Sequence, residues 1–341
     1  MSGSSSEAAG TRTRASNSAA AGTRLRVLLW HVHGSYTTAL VQGDHTWLLP
    51  VDAERSPDGR GRAQTWDWPS TAVEVTRDEC AAIDVDAVVL QRPEELDHLA
   101  ADWLGGRRPG RDIPALYLEH NAPQGRINHL RHPAADRPEL RVVHVTHCND
   151  LLWDCGTTPT TVVEHGVVDP GRRWTGALPR AGVVINEPLR RARVTGADLL
   201  PRFAAAGDID LYGMGVAKVE VDGVTPHEDM PQDAMHAELA RRRVYVHPIR
   251  WTSLGLSLLE AMHLGMPVIA VGTTEVAEAV PRDAGVVSTD VDRLVRATRE
   301  LLVDRDHAAE LGARARAAAL ERYGLARFLA DWNRLLREVT R

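Results

Sequence analysis

Short apolar runs of strand length, separated by stretches long enough for a crossover helix, recur along this 341-residue chain and restrict it to a parallel-sheet architecture. Leu25 to Trp30 is the first, followed by Ala87–Leu90, Ala115–Leu118, Val142–Val145 and Thr161–Val163. Each is apolar at consecutive rather than alternate positions, the pattern of a strand covered on both faces. A second series starts at Val183–Asn186 and continues through Asp210–Tyr212, Val244–His247, Val268–Val271 and Val286–Val287. Between the two series, PGRRWTGALPRAG carries Gly and Pro at both ends and no periodicity, as a linker does. The chain therefore reads as α/β, two facing doubly wound domains: 23–170, a linker at 171–181, and 182–322.

Helices fill the intervals. Val291, Leu294, Val295, Thr298, Leu301 and Leu302 share one helical face after the capping candidates Thr289 and Asp290. Residues 323–341 contain YGLARFLADWNRLLREV, an amphipathic helix long enough to cross back to the first domain and tie the halves together. The opening MSGSSSEAAGTRTRASNSAAAG has no apolar core and reads as a disordered tail over 1–22.

Charge and cysteine usage narrow the function. A net charge of −6 gives no basic field over the chain, so a dedicated nucleic-acid binder is not expected. Three cysteines, Cys80, Cys148 and Cys155, form no disulfide framework and suit a reducing compartment, so the expected location is the cytoplasm. No run of 18 apolar residues offers a membrane span. Neither a G-x-x-x-x-G-K-[ST] phosphate loop nor a G-x-S-x-G nucleophile turn is present.

In an open parallel sheet the ligand lies beyond the carboxyl ends of the strands. The segment after Val244–His247 reads strand, loop, helix, strand: Thr252 or Ser253 as cap, Leu254-Gly255-Leu256 at the helix start, Gly265 and Pro267 at its end. Free amides at such a start can hold a diphosphate. Glu260, three residues after Ser257, is placed to accept hydrogen bonds from vicinal ribose hydroxyls, or else to serve as a solvated glutamate near a helix start.

This segment resembles the donor-binding block of the retaining glycosyltransferases of family 4, E-G-F-G-L-x-x-x-E-A-M-A-x-G-x-P-V-I-A. Thr252-Ser253-Leu254-Gly255-Leu256 stands for E-G-F-G-L, so Thr252 replaces the first glutamate, and Glu260-Ala261-Met262 and Gly265-Met266-Pro267-Val268-Ile269-Ala270 match closely. Thr273-Thr274-Glu275-Val276, Gly285-Val286-Val287, Glu164-His165-Gly166-Val167-Val168-Asp169 and Tyr212-Gly213-Met214-Gly215 resemble further landmarks in the family's order.

The resemblance implies the GT-B fold, two Rossmann-like lobes, and a retaining, metal-independent transfer of a hexose-type sugar to a hydroxyl acceptor. It also assigns residues. Donor binding falls to Arg190, with Arg191 and Arg193 standing in for a lysine that Thr195 replaces, and to Gly213, Gly215, Thr252, Ser253, Leu254, Gly255, Leu256, Ser257 and Glu260. His120, after Ala115–Leu118, is implied beside the reacting sugar, and His33-Gly34-Ser35 forms the loop near the acceptor and donor phosphate. The nucleotide sugar is a cosubstrate, with no further cofactor. The acceptor is a lipid-linked or small molecule, the former placing the protein at the inner membrane face. A catalytically silent nucleotide-sugar binder and a nucleotide-sugar epimerase remain the alternatives.

Two other constellations invite a metal and are read otherwise. The D-x-D strings at Asp84, Asp208 and Asp290 fall at strand starts or a helix cap, and alternation sends His144 and His147 to opposite faces, away from a joint site with Cys148 and Cys155. The basic loop holding Arg126, His129, Arg131, His132, Arg137 and Arg141 reads as a solvated surface.

Overall fold

The computed structural model describes residues 24–341; the tail expected over 1–22 lies outside them. Two parallel sheets form. The first has strands β1 (Arg26–Leu29), β2 (Thr46–Pro50), β3 (Ala72–Val75), β4 (Ala87–Leu90), β5 (Ala115–Glu119), β6 (Arg141–His144) and β7 (Thr160–Val162), in the order β3-β2-β1-β4-β5-β6-β7. The second has β8 (Leu178–Val184), β9 (Ile209–Gly213), β10 (Val224–Glu228), β11 (Arg242–His247), β12 (Val268–Val271) and β13 (Gly285–Ser288), ordered β10-β9-β8-β11-β12-β13. This is the two-lobed GT-B arrangement, with the strand order of each all-parallel sheet reversing beside its first strand.

The consecutive apolar positions divide between two layers, as the two-residue strand period requires. Val27 and Leu29 enter the core on one face of the first sheet while Leu28 and Trp30 enter the other. In the second sheet Tyr245, Val268 and Ala270 face one layer and Val244, Val246, Ile269 and Val271 the opposite one.

Strands β2, β3 and β10 are additional to those expected from the apolar runs. Strand β10 carries Pro226 and His227 and pairs only with β9, so it is an edge strand, where a missing N–H is tolerated. Strand β8 begins at Leu178, inside the stretch expected as linker over 171–181, because Pro179 and Arg180 join the strand before its buried part starts.

The helix Val291–Val303 starts at Asp290, whose carboxylate accepts from the N–H groups of Asp292 and Arg293 at 3.0 and 3.2 Å. After the helix Arg305–Tyr323, Gly324 turns the chain into the helix Leu325–Val339. That last helix buries Phe328, Trp332, Leu335 and Leu336 in the core of the first lobe, and Trp332 donates its indole N–H to the Tyr36 hydroxyl at 3.0 Å. Outgoing and returning segments are tied together: Val167 N–H donates to the Tyr323 carbonyl, and Arg327 donates to the carbonyls of Glu164 and His165.

Candidate active site between the lobes

A cleft of about 460 Å³ opens where the carboxyl ends of the two sheets face each other. The first lobe contributes His33, Gly34 and Ser35, from the turn after β1, and Thr65 and Trp66. The second lobe contributes the ends of β8 and β9 (Asn186, Gly213, Met214), the turn Asp229–Gln232 after β10, and Ile249, Thr252, Leu256, Ser257 and Glu260.

The helix Leu256–Leu264 points its first turn into this cleft. Gly255, not Thr252 or Ser253, is its N-cap, and no side chain caps it. A side chain on Gly255 would run into the His247 ring, so only glycine lets the strand and the helix start lie this close. The first helical bonds run from Leu258 and Leu259 N–H to the Gly255 carbonyl, which leaves the amides of Leu256 and Ser257 ahead of the ladder, the position from which helix-start amides can hold an anion. At its other end Gly265 adopts a left-handed conformation, φ 85°, and stops the helix before Pro267 as expected.

Glu260 projects from the same helix, 6% exposed. Its carboxylate accepts from Gln232 Nε2 at 2.9 Å and from His236 Nε2 at 3.2 Å. Gln232 in turn accepts from the Trp66 indole of the other lobe, so the carboxylate is connected to both walls. The Trp66 ring lies against Gly34, where any side chain would collide with it.

The three arginines expected at the diphosphate separate. Only Arg191 lines the cleft, and among the described residues it has no carboxylate partner. Arg190 is 70% exposed and pairs with Glu187, and Arg193 pairs with Asp198 at 2.9 Å. Both are engaged in local ion pairs outside the cleft. Thr195, in the position of the absent lysine, reaches the cleft wall and turns its hydroxyl back to the carbonyls of Arg191 and Ala192.

His120 also departs from expectation. It is buried behind the cleft, its Nε2–H donating to Gln91 Oε1 at 3.0 Å. The Gln91 orientation is fixed because its own amide N–H donates to the Trp30 carbonyl. The imidazole that reaches the cleft is that of His33, whose ring centroid lies 4.0 Å from that of His120. Burial, with a smaller contribution from His31, holds His33 down to about 4, and burial with the neighbouring imidazoles of His33 and His165 holds His120 well below the ordinary histidine value. Both rings are neutral at physiological pH.

Four further expected donor residues, Gly215, Ser253, Leu254 and the helix cap Gly255, do not line the cleft. Gly215 donates its N–H to Glu228 at 2.6 Å, and Leu254 is buried in the second lobe's core. Ser253, buried, donates its hydroxyl across to the His120 carbonyl at 2.6 Å. Asn186, Met214 and the Asp229–Gln232 turn are cleft residues that sequence reasoning misses. The rule that ligands sit at strand carboxyl ends would find the first two, whereas the third requires recognising β10.

The carboxylates of the three D-x-D strings have local partners: Asp84 and Asp86 with Arg26, Asp208 and Asp210 with Arg180, Asp292 with Arg202, and Asp290 on its helix start. His144 packs its Nε2 3.7 Å from Cys155 Sγ within the first lobe.

Residues 194–304 match the family described as glycosyl transferases group 1. The matched residues lie within the second lobe, from the short helix after β8 to the end of the helix Val291–Val303. Part of the chain also resembles the GDP-mannose-dependent alpha-(1-6)-phosphatidylinositol monomannoside mannosyltransferase of Mycobacterium tuberculosis (strain ATCC 25618 / H37Rv), with 30% identity over 221 residues. That alignment takes in 60% of this chain and 51% of the relative, so the match spans about half the length of the curated protein. Among solved structures, Anabaena HepE in complex with UDP and glucose superposes with a TM-score of 0.67 at 13% identity, covering 92% of this chain and 100% of that one. The sucrose-phosphate synthase of Thermosynechococcus elongatus gives 0.66 at 14% identity, covering 93% and 99%. The residues that match the group 1 family begin just after Arg191, at Val194, and include the whole helix bearing Glu260.

Proposed function

We propose that the protein is a retaining glycosyltransferase that moves a hexose from a nucleoside diphosphate sugar to a hydroxyl acceptor. The observation that carries the reading is the convergence, in one cleft, of the Leu256 and Ser257 amides, the unpaired Arg191 and the buried Glu260, facing the His33–Ser35 turn. Amides and guanidinium suit a diphosphate, and a carboxylate suits two ribose hydroxyls. The sugar would then lie toward His33, which His120 supports from behind.

In the transfer, the bond from the anomeric carbon to the diphosphate oxygen breaks and the acceptor oxygen bonds that carbon from the same face. The acceptor proton passes to the departing phosphate, so no separate protein base is required. Arg191 and the helix amides stabilise the charge developing on the phosphate. A neutral imidazole at His33 offers a hydrogen bond to the sugar without adding charge. We assign no metal or cofactor to this step. The name of the mycobacterial relative makes GDP-mannose the first donor to test, and a lipid-linked acceptor at a membrane face the first acceptor class.

A silent nucleotide-sugar binder is the second reading, and Thr252 favours it, since a hydroxyl lines the cleft where the resembled motif has a glutamate. The test is calorimetric titration with GDP, UDP, ADP and TDP sugars, on the protein and on Glu260→Ala, followed by product analysis with acceptor. Selective binding that weakens by at least ~1 kcal/mol in the variant supports the site. A folded variant with unchanged affinity overturns the role of Glu260, and binding without transfer to any acceptor favours the silent reading.

A further inference from the structure

The loop between β11 and the helix Leu256–Leu264 has two sides. One side, through Thr252 and the helix amides, borders the cleft. The other grips the first lobe: Trp251 donates its indole N–H to the Pro123 carbonyl at 2.8 Å, and Ser253 donates to the His120 carbonyl at 2.6 Å. These two bonds hold both ends of the turn that follows β5, and Ser253 is only 3% exposed, so the contact is made out of water.

We propose that Ser253, assisted by Trp251, is a positioning residue that locks the His120 turn to the donor loop when the lobes are closed. The chain of contacts is short. Ser253 fixes the backbone at His120, the His120 ring is fixed by Gln91, and that ring packs on His33, which faces the cleft. The inference rests on the transferase reading for its catalytic consequence, since it makes His33 correctly placed only while the donor loop is docked. Ser253, expected as a donor ligand, thereby acquires a different role, in which no atom of it is needed to hold the nucleotide. A hydroxyl donor is all the contact requires, so threonine should replace serine and alanine should not.

The experiment uses the full chain and compares Ser253→Ala, Ser253→Thr and Trp251→Phe. Amide exchange of the peptide covering 119–124 reports the lock directly, with or without GDP or UDP. Ser253→Ala should speed that exchange and lower kcat by about tenfold while leaving KM for the donor and nucleotide affinity within about twofold, and Ser253→Thr should restore both. Trp251→Phe should act in the same direction. Unchanged exchange in Ser253→Ala overturns the lock, as does lost nucleotide affinity with kcat intact, which would return Ser253 to the donor site. If the unaltered protein transfers no sugar, the functional reading fails while the exchange measurement still decides the lock.

Discussion

At the residue scale, the sharpest distinction is among three neighbouring arginines. Arg190 and Arg193 are exposed and paired with carboxylates, while Arg191 lines the cleft unpaired. Arg191→Ala should therefore weaken GDP or UDP binding by about tenfold or more, and Arg190→Ala by less than about twofold, in calorimetric titration. Equal losses would mean that the Glu187 ion pair opens on binding. The sequence shows that a basic cluster belongs here but not which member turns inward, because that depends on the short helix Ala192–Thr195 and the partners available around it. The same holds for the histidines: His33 and His120 both follow strand ends, and only the packing of Tyr36 and Gln91 decides which ring reaches the cleft.

At the scale of elements, strands β4 and β12 are legible to the residue because their side chains are apolar toward both layers. Strands β2, β3 and β10 are not: in β2 the apolar run is only Trp47–Leu49, closed by Pro50, while Glu74 in β3 and the Pro226–His227 pair in β10 interrupt the apolar signal at positions that the structure leaves half-covered or at an edge. The donor helix is legible at its end, through Gly265, but not at its start, because glycine caps by its shape rather than by a side-chain acceptor. The returning helix Leu325–Val339 carries its own prediction. Removing the fully buried indole in Trp332→Ala should lower stability by about 3–5 kcal/mol in urea unfolding. Tyr36→Phe, which leaves only the indole N–H without a partner, should cost about 1 kcal/mol. A smaller loss for the tryptophan than for the tyrosine would show that the helix is not anchored through this ring.

Over the whole molecule, buried imidazoles set how stability responds to acid. Burial holds His247 down to about 4, burial together with His31 does the same for His33, and burial opposed by Asp150 leaves His144 at about 4. In the unfolded chain each binds its proton near 6.5, so between about pH 6.5 and 4 the unfolded state holds more protons and stability falls as pH falls. Glu95, pushed up to about 6 by burial, opposes this trend as a single group, while His120 and His165, also held down by burial, add to it. Urea midpoints should decline steadily from pH 7 to 4.5, and a flat profile over that range would show that these rings are reached by water in the native state.

The returning helix also dictates an order of events. Residues 325–339 complete the first lobe's core, yet they follow the entire second sheet in the chain. During synthesis the first lobe must wait, with the pocket around Tyr36 uncovered, until the second lobe has been made. A fragment cut at the linker would therefore isolate neither lobe intact: the first would lack Phe328 and Trp332, and the second would trail an amphipathic helix with nothing to cover its apolar face.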